Sequence, residues 1–370
     1  MKKIAVIGMS NNPGGVESYL INFLKAVRSD YKVVFVNLDA EKSVAHECLI
    51  TELGGQIFDL KGNLSLKGYF HRKTTAVQIL NEIGADIVYV NALTTNWSFW
   101  VRAAHELGIQ CVYHSHNAAE VSSSSLKMLI SRLIRPLNRV TLHGAMRLAA
   151  SEDAGYFMFG SKSKFTVVYN AVDPVKWKFD AHKRFQFRKH LKLSSNVHVI
   201  LSVARLDIQK NSIRLIQILN KVVKNNSNVV CLLVGDGPLK ADVQSKITEL
   251  GLESKVLLLG NRSDVPDIMA AADLFILPSL FEGLPFVVVE AQAAGLPIVA
   301  SNNAVPTIAD ITGEVTRLDL NDKDGVWAKK ISHILMTEKV DRLAMNHSVK
   351  ESAFSLKNYE FQINSIFARL

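Results

Sequence analysis

Two glutamates stand in one of the most apolar stretches of the chain, FEGLPFVVVEAQAAGLP. A buried carboxylate without a partner is costly, so Glu282 and Glu290 are expected either to face water or to be held by specific groups. Gly283 and Pro285 indicate a loop, and the following residues form a helix that Gly295 ends. We therefore predict Glu282 just before a helix and Glu290 in its second turn, where the hydroxyl groups of a sugar could satisfy a carboxylate.

A pair of cations follows an apolar strand in SVARLDIQKN. Arg205 and Lys210 would lie at the carboxyl end of that strand and close to the N-terminus of the next helix, which favours a diphosphate. Solvated surface cations are the alternative. Gly235 and Gly237 follow the next strand, and Asn261 follows the strand after that. These loops could contact a ligand, but the glycines could equally be required only by a turn.

The N-terminal half has two candidate sites. Gly14 and Gly15 stand between the first strand and its helix, and they would let a ligand approach the backbone near a helix N-terminus. The spacing is not G-x-G-x-x-G, so a dinucleotide is not indicated. His114 and His116 end a later strand, with no third ligand to indicate a metal site. His116 could point toward a ligand, and His114 could equally be a packing residue.

Apolar strands alternate with helical segments along the whole chain, which predicts two Rossmann-like α/β domains in tandem, facing each other across a cleft. A polar, basic segment beginning at Asp173 indicates the boundary. We predict an N-terminal domain of residues 1–172, with 355–370 crossing back to it as a helix, and a C-terminal domain of 173–354.

Composition narrows the class of protein. The 370 residues include 48% hydrophobic side chains and three dispersed cysteines, which fits a protein of the cytoplasm. No segment predicts a signal peptide or a membrane-spanning helix. The formal charge of +9 suggests an anionic partner. Because the cations are scattered and no basic-aromatic pattern occurs, nucleic acid is the least expected partner.

Taken together, the Gly-Gly loop, ARLDIQKN, VGDGP and FEGLPFVVVEAQAAGLPIVAS resemble the GT-B glycosyltransferases of family 4. The E-x7-E spacing of Glu282 and Glu290 is the most specific element. YHSHN and VVYNAVD resemble in particular the bacterial enzymes of capsular or exopolysaccharide synthesis. One departure is NNAVPTIAD, which stands where many members have Gly-Gly-x-x-Glu, so contacts to the far side of the donor are not carried over.

The resemblance implies a retaining, metal-independent transferase that uses a nucleotide-sugar donor, with no cofactor. Arg205 and Lys210 would neutralise the diphosphate, Glu290 would hold the ribose and Glu282 would lie near the reacting sugar. His116 would meet an outer hydroxyl of the donor sugar. No enzymic nucleophile is assigned. The implied catalytic group is therefore Glu282, His116, Arg205 and Lys210, and the donor-binding group adds Gly14, Gly15, Gly235, Asn261, Gly283, Leu284 and Glu290.

A segment without acidic residues extends from Val121 to Ser151. On a helix, Arg132, Arg135 and Arg139 would share one face and leucines another, which suits anionic lipid headgroups. We therefore predict a peripheral contact with the inner face of the cell membrane through Lys127, Arg132, Arg135 and Arg139. A helix packed on the domain is the alternative.

The leading hypothesis is transfer of a hexose or N-acetylhexosamine, most simply from a UDP-sugar, to a lipid-linked saccharide. Two alternatives remain open at this point. A UDP-sugar 2-epimerase shares the two-domain fold, and a non-catalytic homologue would bind a saccharide or a partner enzyme without turnover.

Overall fold

The computed structural model describes residues 1–11, 14–39, 41–60, 71–117, 125–337 and 340–370, with the backbone alone for 125–128 and 130. The chain divides into a first unit, Met1–Ala171 with Lys357–Leu370, and a second unit, Val172–Leu356. Each unit contains one parallel sheet with helices, so the predicted α/β class with two Rossmann-like domains is confirmed.

The first unit has strands that alternate with helices along the chain. Its strands are β1 (Lys2–Ile7), β2 (Tyr31–Asn37), β3 (Gln56–Asp59), β4 (Ile87–Ala92), β5 (Gln110–Ser115), β6 (Met146–Ala149) and β7 (Thr166–Val167). Its helices are α1 (Gly15–Val27), α2 (Glu47–Glu52), α3 (Arg72–Ile83), α4 (Phe99–Leu107), α5 (Ser125–Thr141) and α6 (Glu152–Phe159).

The second unit repeats this alternation. Its helices are α7 (Pro174–Trp177), α8 (Ala181–His190), α9 (Ser212–Asn225), α10 (Lys240–Glu249), α11 (Val265–Ala271), α12 (Phe286–Ala293), α13 (Asp324–Thr337) and α14 (Arg342–Glu351). Its strands are β8 (His198–Val203), β9 (Val229–Val234), β10 (Val256–Gly260), β11 (Leu274–Leu277), β12 (Ile298–Ser301) and β13 (Val315–Leu318). The last helix, α15 (Leu356–Phe367), packs within the first unit, where the Tyr359 ring meets the Tyr19 ring edge-on.

The two sheets share the same order over six strands, and the first sheet has a seventh strand at its edge. The first is β3-β2-β1-β4-β5-β6-β7 and the second is β10-β9-β8-β11-β12-β13. Every residue of β4 and of β9 is buried, because helices cover both faces of each parallel sheet. This explains why the strands read as continuous apolar runs rather than as alternating patterns.

The apolar helix predicted after Pro285 is present as α12. It forms despite three consecutive valines because burial of its faces outweighs their weak helix propensity. The helix ends at Ala293, and after its C-cap comes Gly295, whose φ is +72° and whose missing side chain leaves room for the backbone of Arg342 on α14. A Cβ at Gly295 would lie 2.5 Å from the Arg342 Cα, so the glycine is required by both conformation and space.

Candidate active site

Four loops of the second unit lie at the same edge of its sheet. Arg205, Gly235, Asn261 and Glu282 follow β8, β9, β10 and β11, and these strands are all parallel. β8 and β11 are neighbours at the point where the strand order reverses. Open α/β sheets bind ligands beyond the carboxyl ends of their strands at such a point, which makes this edge the candidate site.

Glu282 is held by a cation from the neighbouring loop. The Lys210 Nζ donates to the Glu282 Oε1 at 2.6 Å, and the two side chains are only 22% and 7% exposed. The Gln209 Nε2 approaches the other carboxylate oxygen at 3.5 Å. Glu282 is therefore a paired, buried charge, and removal of Lys210 would leave it without compensation.

The loops after β8 and β11 are joined by backbone contacts as well. The Leu280 amide donates to the Gln209 carbonyl at 2.8 Å, and the Asn211 side chain donates to the Pro278 carbonyl at 3.1 Å. Asp207 orders the first loop, because its carboxylate accepts from the Lys210 amide at 2.9 Å. The predicted cations and Glu282 thus lie on two loops that hydrogen bonds hold together.

Arg205 differs from Lys210 in its surroundings. Its side chain is 69% exposed, and its Nε lies 3.9 Å from the nearest Asp207 carboxylate oxygen. Because that contact is long and in water, it restrains the guanidinium weakly. Arg205 thus presents most of its charge to solvent at the sheet edge, whereas Lys210 is engaged by Glu282.

The two glycines after β9 are required by close packing of loops. A Cβ on Gly235, whose φ is +131°, would lie 2.1 Å from the Ala204 carbonyl oxygen. A Cβ on Gly237 would lie 2.3 Å from the Leu206 carbonyl oxygen. Both contacts are to the loop that carries Arg205. The glycines therefore set the position of that loop, whatever ligand contact Gly235 makes.

The remaining predicted donor residues of this unit lie at or near the surface. Asn261 and Gly283 are exposed, and Leu284 is half-buried. A Cβ built on Gly283 would meet no atom within 4 Å, so the space beside this glycine is open. The loop before α12 can therefore admit a ligand at its backbone.

Glu290 is in a different state from Glu282. Glu290 is half-buried on α12, and within the described ranges no group donates a hydrogen bond to its carboxylate. Burial raises the pKa of Glu290 to about 7, and the positive charge of Lys176 on α7 opposes this rise. The Glu290 carboxylate is thus half-buried and lacks hydrogen-bond donors among the described residues. Hydroxyl groups of a ligand that donated to it would stabilise its charged form.

A buried glutamine on the same helix orders the loop after β12. The Gln292 Oε1 accepts from the amides of Ile311 and Thr312 at 2.8 and 3.1 Å, and its Nε2 donates to the Ala309 carbonyl at 2.7 Å. This loop contains the segment NNAVPTIAD, and its Asn303 carbonyl lies 3.4 Å from the Glu282 amide nitrogen. The divergent segment is thus fastened to the helix that bears Glu290.

In the first unit, Gly14 and Gly15 stand where α1 begins. Gly14 is its N-cap and supplies no side-chain hydrogen bond. A Cβ on Gly14 would lie 2.9 Å from a carboxylate oxygen of Glu17, whereas a Cβ on Gly15 would meet no atom of the described residues within 4 Å. The Asn170 Nδ2 donates to the Gly15 carbonyl at 3.2 Å, which ties this turn to the segment VVYNAVD. Among the described residues, none restricts the space beside Gly15.

The two histidines after β5 have distinct surroundings. The His114 Nδ1 lies 2.5 Å from the Tyr89 hydroxyl, and its ring is fully buried, which agrees with a packing role. The His116 Nε2 is buried and has no partner among the described residues. Burial lowers the pKa of His116 to about 3, so its ring is neutral at physiological pH. A neutral ring with a free nitrogen can exchange a hydrogen bond with a hydroxyl group.

Two arginines of the predicted basic surface are used inside the first unit. Arg139 donates to the carbonyls of Phe157 and Met158 at 2.6 and 3.1 Å, and Arg135 lies over the Phe157 ring at 4.6 Å. Both are half-buried and hold α5 to α6, and the contact of this surface with lipid stays a prediction. Arg132 is exposed, and the Lys127 side chain lies outside the described part of the structure.

Sequence reasoning missed the groups that order the site. Asp207, Gln209, Gln292 and Lys176 were not predicted to contribute. Asp207 could have been found as a turn-forming acid three positions before Lys210, and Gln292 as a second polar residue in an apolar helix. Gln209 and Lys176 gave no local signal. In the parts of the chain that the structure describes, no group of three His, Cys, Asp or Glu is arranged to hold a metal ion.

Solved structures with this fold have been determined with nucleotides bound. HepE from Anabaena in complex with UDP is 24% identical, covers 100% of both chains and has a TM-score of 0.79. WaaG, a glycosyltransferase involved in lipopolysaccharide biosynthesis, has a TM-score of 0.69 at 17% identity and covers 97% of this chain and 99% of its own. These similarities identify the fold as GT-B.

Sequence comparisons cover almost the whole chain. The family described as Glycosyltransferase Family 4 matches residues 13–176, and Glycosyl transferases group 1 matches residues 183–354. The putative glycosyltransferase EpsF of Bacillus subtilis is 28% identical over 90% of this chain and 87% of its own. An α-1,3-galactosyltransferase of Escherichia coli, named for UDP-Gal and a GlcNAc-diphosphoundecaprenol acceptor, is 31% identical over 65% of this chain and 64% of its own. These relatives are transferases, which does not favour the epimerase alternative. The chain belongs to the GT-B glycosyltransferases of family 4.

Proposed function

We propose that this protein is a retaining glycosyltransferase of bacterial capsular or exopolysaccharide synthesis. It transfers a hexose or N-acetylhexosamine from a UDP-sugar to a lipid-linked saccharide, without a metal ion or cofactor. The observation that carries the proposal is Glu290, a half-buried carboxylate that no described residue satisfies, at the sheet edge where ligands of this fold class bind.

In this proposal Glu290 accepts hydrogen bonds from the ribose hydroxyls of the donor. Two adjacent hydroxyls match the two oxygens of a carboxylate, and they restore the solvation that burial removes. The same contacts would lower the pKa of Glu290, because they stabilise the ionised form. Donor affinity should therefore fall as the pH decreases below about 7, where Glu290 takes up a proton.

Arg205 and Lys210 bind the diphosphate and stabilise the charge that develops on it as the sugar departs. The exposed guanidinium of Arg205 is ready to meet phosphate oxygens. An ammonium carries three donors, so Lys210 can keep Glu282 and still donate to phosphate. Glu282 then fixes Lys210 and lies next to the sugar, while Gly235, Asn261, Gly283 and Leu284 line the donor.

The first unit contributes His116 and the glycine turn. The neutral ring of His116 exchanges a hydrogen bond with an outer hydroxyl of the donor sugar. The open space beside Gly15 admits a phosphate or the acceptor at the start of α1. His116 follows the end of β5, and the glycine turn stands at the start of α1.

The choice of acceptor is supported by the names of two relatives. The E. coli relative is named for a diphosphoundecaprenol acceptor, and a Campylobacter jejuni relative that is 24% identical is named for an undecaprenol-linked one. No helix of the described chain is long and apolar enough to span a membrane. We place the protein in the cytoplasm, in peripheral contact with the membrane that carries the acceptor.

The donor is tested by a thermal-shift series with UDP-, GDP- and ADP-sugars. A ligand that binds only the native state stabilises it, by about 2.7 kcal/mol when its concentration is 100 times its dissociation constant. We expect UDP-sugars to raise the melting temperature most and Glu290→Gln to abolish the shift. Glu253→Gln replaces an exposed glutamate and serves as the matched control. No shift with any nucleotide-sugar would refute the proposed donor class.

Two further measurements test the reaction itself. The anomeric configuration of the product, read by NMR, should equal that of the donor sugar if transfer is retaining. Transfer should persist in the presence of EDTA if no metal ion takes part. An inverted product or loss of activity with EDTA would each overturn the corresponding part of the proposal.

A further inference from the structure

A short chain of hydrogen bonds links α1, β4 and β5 in the interior of the first unit. The Tyr19 hydroxyl lies 2.8 Å from the Tyr89 hydroxyl, which in turn lies 2.5 Å from the His114 Nδ1. All three side chains are fully buried, so bulk water does not compete for these bonds. We call these residues the tyrosine–histidine chain. Polar side chains are costly to bury, and the transfer reaction proposed above uses none of the three.

The first and last members of the tyrosine–histidine chain both touch the ring of His116. The His114 ring stacks on the His116 ring, with centroids 4.3 Å apart and planes inclined by 28°. The Tyr19 ring meets the His116 ring edge-on at 4.7 Å and the His114 ring edge-on at 4.8 Å. The His116 ring therefore packs against two side chains, and the hydroxyl of Tyr89 bonds to both of them.

The Tyr89 hydroxyl fixes the orientation of its neighbours. Its own position is set because the Phe23 ring stacks on the Tyr89 ring, with centroids 4.4 Å apart and planes inclined by 17°. The hydroxyl carries one proton, so it can donate to one neighbour and accept from the other. A flipped imidazole would present a carbon in place of the His114 Nδ1, so this bond selects one ring orientation. Loss of the hydroxyl would leave Tyr19 and His114 free to shift.

The two histidine rings can stack closely because neither is charged at physiological pH. Burial lowers the pKa of His114 well below its ordinary value and lowers the pKa of His116 to about 3. Two charged rings would repel each other at this distance, whereas two neutral rings pack as aromatic side chains do. No described residue bonds to the His116 Nε2, so the neighbouring rings restrain the direction in which this nitrogen points.

We propose that Tyr89 is a positioning residue for the donor sugar. Its hydroxyl holds Tyr19 and His114 in the places from which they orient the His116 ring, and Tyr89 itself touches no substrate. This inference rests on the proposed function, in which His116 exchanges a hydrogen bond with an outer hydroxyl of the donor sugar. Because a hydrogen bond weakens steeply as it departs from linearity, a rotated His116 ring would lose much of that contact.

The test variant is Tyr89→Phe, which removes the hydroxyl and keeps the ring that stacks on Phe23. The matched control is Tyr113→Phe. Tyr113 is fully buried on the neighbouring strand β5, and its hydroxyl donates to the Thr94 carbonyl at 2.7 Å. Each variant deletes one buried hydroxyl from the same sheet, so a purely structural effect should appear in both. Thermal unfolding of the two variants measures that shared effect.

The first measurement reads the histidine rings directly and needs no substrate. It is NMR of the full chain with isotope-labelled histidine, in which the His116 signals are identified by their absence from His116→Phe. We expect Tyr89→Phe to shift the His116 ring signals and Tyr113→Phe to leave them in place. Unshifted His116 signals in Tyr89→Phe would overturn the proposal, whether or not the transfer reaction is correct.

The second measurement separates the sugar from the nucleotide. The probes are UDP-glucose, UDP-galactose and their N-acetylated forms, with UDP as the reference, and the readout is affinity by calorimetry. We expect Tyr89→Phe to weaken binding of the preferred UDP-sugar by roughly three- to tenfold, the effect of one hydrogen bond, and to leave UDP affinity unchanged. Tyr113→Phe should bind both as the wild type does.

A double-mutant cycle shows whether Tyr89 acts through His116. In the His116→Phe background, Tyr89→Phe should cause no further loss of UDP-sugar affinity, because the ring nitrogens that it positions are already absent. An equal loss in both backgrounds, or an equal loss for UDP and UDP-sugar, would overturn the positioning role. A wild type that binds no UDP-sugar would refute the proposed donor, and the His116 signals would then decide the inference alone.

Discussion

Glu282 and Glu290 belong to one sequence motif but have opposite electrostatic states. Glu282 is nearly fully buried and paired with Lys210, so its charge is compensated by the protein. Glu290 is half-buried without a described donor, and burial raises its pKa to about 7. The first acid is therefore part of the structure of the site before a ligand arrives, whereas the second is left for a ligand to satisfy.

The Lys210–Glu282 pair can be tested by a double-mutant cycle. Lys210→Met should reduce the free energy of unfolding by about 3 kcal/mol, because it leaves a buried carboxylate without its cation. Adding Glu282→Gln should recover part of that loss, because the uncompensated charge is then removed. The measurement is urea denaturation of the two single variants and the double variant. Strictly additive losses would show that the two side chains do not interact energetically.

The raised pKa of Glu290 has a consequence for stability. The folded state holds the Glu290 proton up to about pH 7 and the unfolded state releases it near 4.5, so stability falls as the pH rises between these values. Glu290→Gln cannot ionise and should gain about 2 kcal/mol of unfolding free energy at pH 8 and little at pH 4.5. Urea denaturation at both pH values measures this.

Measuring the unfolding free energy of Glu290→Gln at two pH values controls for effects other than the charge of Glu290. A gain of the same size at pH 4.5 and pH 8 would mean that the substitution acts through packing and not through the charge. A loss of nucleotide binding together with a gain of stability at pH 8 would identify Glu290 as a group kept for function at a cost in stability.

At the scale of elements, the loops after β8 and β9 depend on each other. Gly235→Ala would bring a Cβ to 2.1 Å from the Ala204 carbonyl oxygen, immediately before Arg205. We expect a loss of about 3 kcal/mol in unfolding free energy, from overpacking together with an unfavourable φ, and weaker UDP binding because Arg205 is displaced.

The variant Gly251→Ala separates the effect of overpacking from the effect of an unfavourable φ. Gly251 has a φ of +65°, but a Cβ there would meet nothing within 4 Å. This control should cost about 1 kcal/mol for backbone strain alone and leave UDP affinity unchanged. Equal losses of stability and affinity in the two variants would contradict the proposed coupling between the loops.

Most elements were predictable because their signals are local. Parallel strands buried on both faces appear as apolar runs, and the α12 helix was predicted from its flanking proline and glycines. β13 has no such signal, because Val315–Leu318 is an edge strand with three half-buried residues and no strong apolar pattern. The buried position of Asn138 on α5 also has no local signal, since its partners Ser98 and Thr95 are 40 and 43 positions away in the sequence.

At the scale of the whole molecule, the order of strands in a sheet determines where the candidate site lies. Each unit has one sheet with the same reversal of strand order, so residues that follow strands collect at one edge of each sheet. This rule allowed Arg205 and Lys210 to be proposed from the sequence, whereas Glu282 and Glu290 were proposed because they are carboxylates in an apolar stretch. The pairing of Lys210 with Glu282 was not predictable, because the two residues are 72 positions apart and sequence spacing gives no information on such a contact.

The central claim is that the donor nucleotide binds at the carboxyl edge of the second unit's sheet, against Glu290. Amide hydrogen exchange of the full chain with and without UDP tests it most directly. We predict protection of the segments 204–211 and 281–292 when UDP is present, and no such protection in Glu290→Gln. Protection confined to other segments, or equal protection in the wild type and Glu290→Gln, would contradict the account.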